Sequence, residues 1–177
     1  MHTPYEVPRI SVADTAPHLS TADLVVVPVA QDDTAAAVAR FDEPLSGDLS
    51  SALNRGEFHA KAGELLTCRV GQPWRAQRVV FVGGGLRHDM GVERFRRMAA
   101  TSALQVRQQR LGRVAWADVE AGAVEAGPRI EAIVDGMTTA NFDGGVHKTQ
   151  DDKPFFLTDV TVLSSARGAL AAAGAGR

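Results

Sequence analysis

Arg78-Val79-Val80-Phe81-Val82 is a run of strand type, rich in β-branched and aromatic residues, and it stops abruptly at Gly83-Gly84-Gly85. After a short polar link, Gly91-Val92-Glu93-Arg94-Phe95 opens a helical pattern that continues to Arg110. Strand, glycine turn and helix in that order constrain the chain to an α/β fold. Backbone N–H groups at a glycine turn and a helix start attract anions. Gly83, Gly84 and Gly85, together with Arg87 and His88 in the link, are therefore the candidate ligand-binding residues. The alternative is a turn that needs glycine only for close strand–helix packing.

The flanking segments alternate in the same way. Arg9–Val12 reads as a short strand, and Asp23–Val29 as a strand covered on both faces, ending near Pro28. Asp32-Asp33-Thr34 precedes an Ala-rich helix over Ala35–Arg40, with the carboxylates read as caps. A second short helix spans Ser46–Leu53, its Leu45, Leu49 and Leu53 spaced for one face. Glu64–Val70 and Gln77–Val82 are joined by Gly71-Gln72-Pro73-Trp74, which predicts an antiparallel hairpin. In the long helix, Phe95, Met98, Ala99, Ser102, Ala103 and Val106 form one stripe. Then come a strand over Arg113–Asp118, a helix over Arg129–Asn141 with Pro128 at its start, and a polar loop over Asp143–Lys153. A last strand covers Phe155–Leu163, and Ser164–Arg177 begins a helical tail whose only large apolar residue is Leu170. Residues 1–163 are expected to form one domain and 164–177 a linker helix or tail.

A chain of 177 residues with 45% apolar and 23% charged content can bury a core without disulfides. Cys68, the only cysteine, lies in an apolar run and is expected to be a buried structural thiol. The balance of 19 basic against 21 acidic residues argues against a nucleic-acid partner. Arg94, Arg96, Arg97, Arg107 and Arg110 nevertheless give the long helix a basic outer face, read as solvated. Apolar runs fall well short of the ~20 residues that cross a bilayer, and the N-terminus lacks the pattern of a signal peptide. The expectation is a cytoplasmic protein with no membrane contact.

Catalytic patterns fail one by one. From Gly83 the dinucleotide fingerprint needs a sixth-position glycine and meets His88; there is no Gly-Lys-Ser/Thr for a P-loop. His2, His18, His59, His88 and His147 form no metal-ligand pair, and Asp151-Asp152 reads as a solvated loop. No nucleophile elbow is present. No catalytic residue and no metal ligand is assigned.

Three segments resemble the N-terminal domain of the leucyl aminopeptidases, also called cytosol aminopeptidases. Glu57-Phe58-His59-Ala60-Lys61-Ala62-Gly63-Glu64 is similar to a family segment Phe-x-Gly-Lys-x-Gly-Glu. Arg78–Gly85 is similar to a strand ending in Val-Gly-Leu-Gly. Ile133-Val134-Asp135-Gly136-Met137, Asn141-Phe142-Asp143 and His147-Lys148-Thr149 resemble a helix with Glu-Gly-x-x-Leu followed by Tyr-x-Phe-Asp and Tyr-Lys-Ser. Ala60 stands for a Gly, Gly84 for a Leu, and Asn141 and His147 for Tyr.

The resemblance implies a macro-domain-like three-layer sandwich with a mixed central β-sheet flanked by helices. It implies a non-catalytic regulatory or assembly domain, whose partner is a catalytic aminopeptidase domain or further copies in a homo-oligomer. The family's two divalent metals, zinc or manganese, are held in a second domain whose Asn-Thr-Asp-Ala-Glu-Gly-Arg signature this chain lacks, so no cofactor is expected here. A cut domain and a stand-alone relative both fit. A second function class stays open: a stand-alone macro-like module binding a nucleotide or an ADP-ribose-type ligand at Gly83–Gly85.

Overall fold

The computed structural model describes residues 5–119, 124–142, 155–166 and 168–176. Six strands form one sheet: β1 (Arg9–Ala13), β2 (Leu24–Val29), β3 (Leu65–Arg69), β4 (Arg78–Gly83), β5 (Arg113–Ala117) and β6 (Asp159–Leu163). Their spatial order is β1-β6-β5-β2-β4-β3. Every pairing is parallel except β3 with β4, which is the antiparallel hairpin expected from the short turn between them. Among the described residues five helices flank the sheet: α1 (Ala35–Asp42), α2 (Asp48–Arg55), α3 (Val92–Gln108), α4 (Ala126–Thr139) and α5 (Ala169–Ala175).

Alternation along the strands sends consecutive side chains to opposite faces, and both faces are covered. On β2, Leu24 and Val26 join α3, α4 and α5 in one core; Val25 and Val27 join α1 and α2 in the other. All four are fully buried. The α3 stripe faces the sheet as its spacing predicts. Helices α3 and α4 lie so close that a Cβ at Gly136 would strike the Arg96 carbonyl oxygen. Gly136 is the glycine of the helix segment that resembles the aminopeptidase pattern, so that motif marks a helix crossing.

Several features differ from the expected ones, and these have a visible reason. The last strand begins at Asp159 rather than Phe155. Just before it, the Leu157 N–H donates to Asn141 Oδ1 at 2.7 Å, and the Leu157 carbonyl accepts from Asn141 Nδ2 at 3.0 Å. A side chain thus takes the bonds a neighbouring strand would have made. Helix α4 starts at Ala126, three residues ahead of Arg129, so Pro128 sits inside the first turn, where its missing N–H costs nothing. Residues 164–166 are not helical, because Ser164 Oγ accepts the Ala166 N–H at 3.2 Å. Finally, α5 docks by small residues rather than by Leu170. Ala169 and Ala173 are buried, a Cβ at Gly176 would strike the Glu131 carbonyl of α4, and Leu170 points outward. The Asp143–Lys153 loop, Asp151-Asp152 and the His147-Lys148-Thr149 segment lie outside the described residues.

The Asp32-Asp33 pair does not cap α1. Thr34 does so, accepting the Ala37 N–H at 3.3 Å. Helix α2 is capped from a distance: buried Asp42 accepts the N–H groups of Leu49 and Ser50 at 2.8 and 3.1 Å.

Cys68 is buried on β3, as expected. Burial first, and the charges of Asp48 and Asp42 second, push its thiol up to about 11. Since the thiolate is the reacting form, Ellman's reagent should label the folded protein about a hundred-fold more slowly than the denatured chain at neutral pH. Equal rates in the two states would contradict this environment.

Candidate functional site

Three backbone segments meet at the carboxyl end of β4. The Gly83 N–H donates to the Glu64 carbonyl at 2.8 Å, that of Gly84 to Val29 at 2.9 Å, and that of Gly85 to Ala60 at 3.0 Å. In return, the Gly83 and Gly85 carbonyls accept from Gly63 and Gln31 at 2.9 and 2.8 Å. A Cβ at Gly83 would land on the Lys61 carbonyl oxygen, whereas one at Gly84 would meet only the Met90 side chain, 2.6 Å from its Cε. Gly85 holds a φ of +73°, which favours glycine. The three amides that sequence reasoning offered to an anion therefore already donate within the protein.

Arg87 and His88 follow in a short 3-10 turn, Arg87–Asp89. The Arg87 guanidinium pairs with Asp33, and its backbone N–H donates to Asp32 Oδ1 at 2.8 Å. Asp33 Oδ2 also accepts the Ala30 N–H at 2.7 Å. The adjacent carboxylates thus lash the β2–α1 loop to the link after the glycines. His88 is not part of this cluster; its ring is exposed and lies 3.3 Å from Asp89.

The partner of the glycine turn is residues 58–64. Phe58 anchors it in the core. Ala60 and Gly63 take left-handed φ values of +51° and +81°. Glu64 Oε2 closes the turn by accepting the N–H groups of His59 and Lys61 at 2.9 and 3.0 Å. Burial pushes the Glu64 carboxyl up, but the Lys61 and His59 N–H groups and the nearby His59 ring outweigh it and hold it below its ordinary value of 4.5. The Gly position of the family segment is thus a left-handed one that Ala60 occupies under strain.

A second cluster lies where β5 and β6 end, and sequence reasoning missed it. Arg129 of α4 and Asp118 after β5 form an ion pair, with side chains 5% and 3% exposed, in which Nε and Nη2 donate to the carboxylate at 2.6 and 3.2 Å. Arg129 Nη1 donates to the Val124 carbonyl at 2.7 Å, and Ser164 Oγ donates to Asp118 Oδ2 at 2.7 Å. The only sequence signal was an arginine placed one residue after a helix-start proline. Asn141 and Arg107 were missed as well. Asn141 Nδ2 also reaches the Glu6 carbonyl at 2.6 Å. Arg107 donates to the Phe155, Ala140 and Phe142 carbonyls at 2.7, 2.6 and 3.0 Å.

Three arginines of the basic face, Arg96, Arg97 and Arg107, have partners. Arg107 is consumed by carbonyls, and Arg96 meets Asp135 and Glu93, each at 2.5 Å. Arg97 meets Glu93 at 2.9 Å. The bonds from Arg97 and Arg96 hold the Glu93 carboxyl below its ordinary range. Among the described residues no group of three or more His, Cys, Asp or Glu is placed to hold a metal ion, and no helix is long and apolar enough to cross a membrane.

The family model for the N-terminal domain of the cytosol aminopeptidase family matches residues 26–150. The chain belongs to that family. The probable cytosol aminopeptidase of Syntrophotalea carbinolica is 29% identical over 152 residues, a stretch that covers 84% of this chain and 31% of the relative. The chain spans less than a third of the length of the curated relatives it matches. A mutant of tomato leucine aminopeptidase superposes with a TM-score of 0.79 at 18% identity, over 98% of this chain and 36% of that one. The macrodomain of Mycobacterium tuberculosis DarG superposes at 0.62 with 12% identity, over 87% and 97% of the two chains. The macro-domain-like α/β sandwich with a mixed sheet is therefore the fold of this cytosol aminopeptidase N-terminal domain.

Two outcomes test the turn. Gly83→Ala forces backbone apart and should destabilise by roughly 2–4 kcal/mol, whereas Gly84→Ala displaces a flexible Met side chain and should cost under about 1 kcal/mol; urea titration of both variants measures the difference. Because the Glu64 carboxyl is held low in the folded state, its stabilisation is present above the ordinary value of 4.5 and is lost as pH falls through the folded value. Glu64→Gln should therefore melt below the wild type at pH 7, and the gap should close on acidification.

Proposed function

We propose that this chain is a non-catalytic regulatory or assembly domain of leucyl aminopeptidase type, working through contact with a catalytic aminopeptidase domain, in cis or in trans, or with further copies of itself. The supporting observation is that the family match is to the N-terminal domain, and that 98% of the chain lies on only 36% of the tomato enzyme. The residues carrying the resemblance support the same reading. Ala60, Gly63 and Glu64 build a turn, Gly83 packs on it, and Gly136 lets two helices touch. These are scaffold roles. Paired divalent metals that activate water for peptide hydrolysis need a carboxylate-rich ligand set, which in this family is the business of the other domain. Residues 164–177, with α5 held on α4 by small residues, then serve as the start of a linker between the two.

The nucleotide reading at Gly83–Gly85 draws on the likeness to macrodomains, but it has less support. Its three amides already donate to Glu64, Val29 and Ala60, so a phosphate there would have to be held by side chains. A nucleic-acid role is disfavoured in the same way, since Arg96, Arg97 and Arg107 already have partners.

The purified 177-residue chain is expected to release no p-nitroaniline from leucine p-nitroanilide with manganese or zinc added. Metal-dependent turnover that tracks the protein through purification would overturn the proposal.

A further inference from the structure

The order β1-β6-β5-β2-β4-β3 has its reversal between β5 and β2: the chain leaves β2 toward β4 and β3 on one side, and leaves β5 toward β6 on the other. In open α/β sheets the crevice beyond the carboxyl ends of two such strands is where ligands bind. A cleft of about 330 Å³ lies there, between Pro28 and Val29 of β2 and Val119 after β5, with Arg40 and Phe41 in its lining. That volume is in the range of small-molecule sites. A second cleft of about 410 Å³ shares Arg40, Phe41 and Val119 and extends from the ends of β5 and β6 to His18 and Trp74.

Segments remote in sequence converge on this place. Helix α1 brings Phe41 and Arg40, and the Arg40 guanidinium lies 4.6 Å from the centre of the Phe41 ring. The hairpin turn brings Trp74, whose N–H donates to Gly71 at 2.9 Å. The next residue, Arg75, donates to the His18 carbonyl at 3.0 Å, which holds the two turns together.

The electrostatics of the cleft favour an anion. Asp118 is neutralised by Arg129 and Ser164, and Asp33 by Arg87, so neither carboxylate presents a free charge. Arg40 is exposed, and among the described residues no carboxylate pairs with it. The Phe41 and Trp74 side chains, 5% and 4% exposed, supply an aromatic wall. Among the described residues the buried Trp74 indole N–H has no acceptor.

We propose that the second cleft binds a small molecule that joins a flat ring to one anionic group, the ring against the Phe41–Trp74 wall and the anion on Arg40. The site is separate from Gly83–Gly85, and it stands or falls independently of the domain's role in an aminopeptidase. A phosphate or a carboxylate satisfies the chemistry equally, and the test separates the two.

The chain contains two tryptophans, and Trp116 is sealed in the core, so its indole resonance is an internal control for that of Trp74. The nitrogen-15-labelled protein is titrated with AMP as the phosphate probe, phenylacetate as the carboxylate probe and adenosine as the uncharged control, with Trp74→Phe assigning the peak. At least one anion is expected to saturate with a Kd at or below about 1 mM. The Trp74 indole resonance should move, that of Trp116 should not, and adenosine should bind at least about ten-fold more weakly. Arg40→Gln, an exposed change that loses only the contact with the Phe41 ring, should lower the melting temperature by no more than a few degrees and weaken binding of the anion at least about ten-fold. The proposal is overturned if neither anion saturates by about 10 mM, if saturation moves resonances elsewhere but not that of Trp74, or if Arg40→Gln binds like the wild type.

Discussion

The architecture follows from β2 being hydrogen-bonded along both edges, to β4 and to β5, in parallel ladders. A parallel strand pair cannot be joined by a tight turn, so each step to a parallel neighbour needs a crossover, and the crossovers become the layers that seal the sheet. Leu24, Val25, Val26 and Val27 are all fully buried, which leaves no face for water. The departures from a purely parallel sheet are confined to the β3 edge, where a short turn suffices.

With the middle closed, polar groups gather at the carboxyl ends of the strands, where loops rather than ladders must satisfy the backbone. Two ion pairs do this work in different surroundings. Arg87–Asp33 is partly open and ties two loops. Arg129–Asp118 is almost wholly buried, and breaking it by removing one partner would strand a charge at a cost of about 3–5 kcal/mol. Asn141 plays the corresponding part at the other end of α4, holding Leu157 and Glu6 by their backbones. Together these contacts determine where β6 may begin and where the chain turns after it.

The motifs of the family resemblance acquire a common physical meaning in this setting. They are places where backbone meets backbone too closely for a side chain, or where φ is positive: Ala60, Gly63, Gly83, Gly85 and Gly136. Such positions tolerate little change because steric exclusion is short-ranged and steep. They report on the scaffold's geometry and say little about ligand chemistry. The cleft that reaches Trp74, by contrast, is built from residues that no motif singled out, Arg40, Phe41 and Trp74 among them.

Local pattern carried most of the element order. The apolar run of β2, the α3 stripe and the hairpin turn were legible because periodicity and turn chemistry act within a few residues. Legibility failed where a side chain from a distant segment competed for backbone groups. Asn141 shortened β6, Ser164 kept the tail from becoming helical at once, and Asp42 capped a helix it precedes by several residues. It failed again where charges paired across the fold, so that Asp32 and Asp33 read as caps and Arg107 as solvent-facing. Sequence alone determined an α/β chain with a glycine turn after its fourth strand and a likeness to one family's N-terminal domain. Only the tertiary structure decided that the glycine amides are spent on protein carbonyls and that Arg40, Phe41 and Trp74 line a cleft apart from them, because hydrogen-bond partners and charge pairs are chosen by proximity in space.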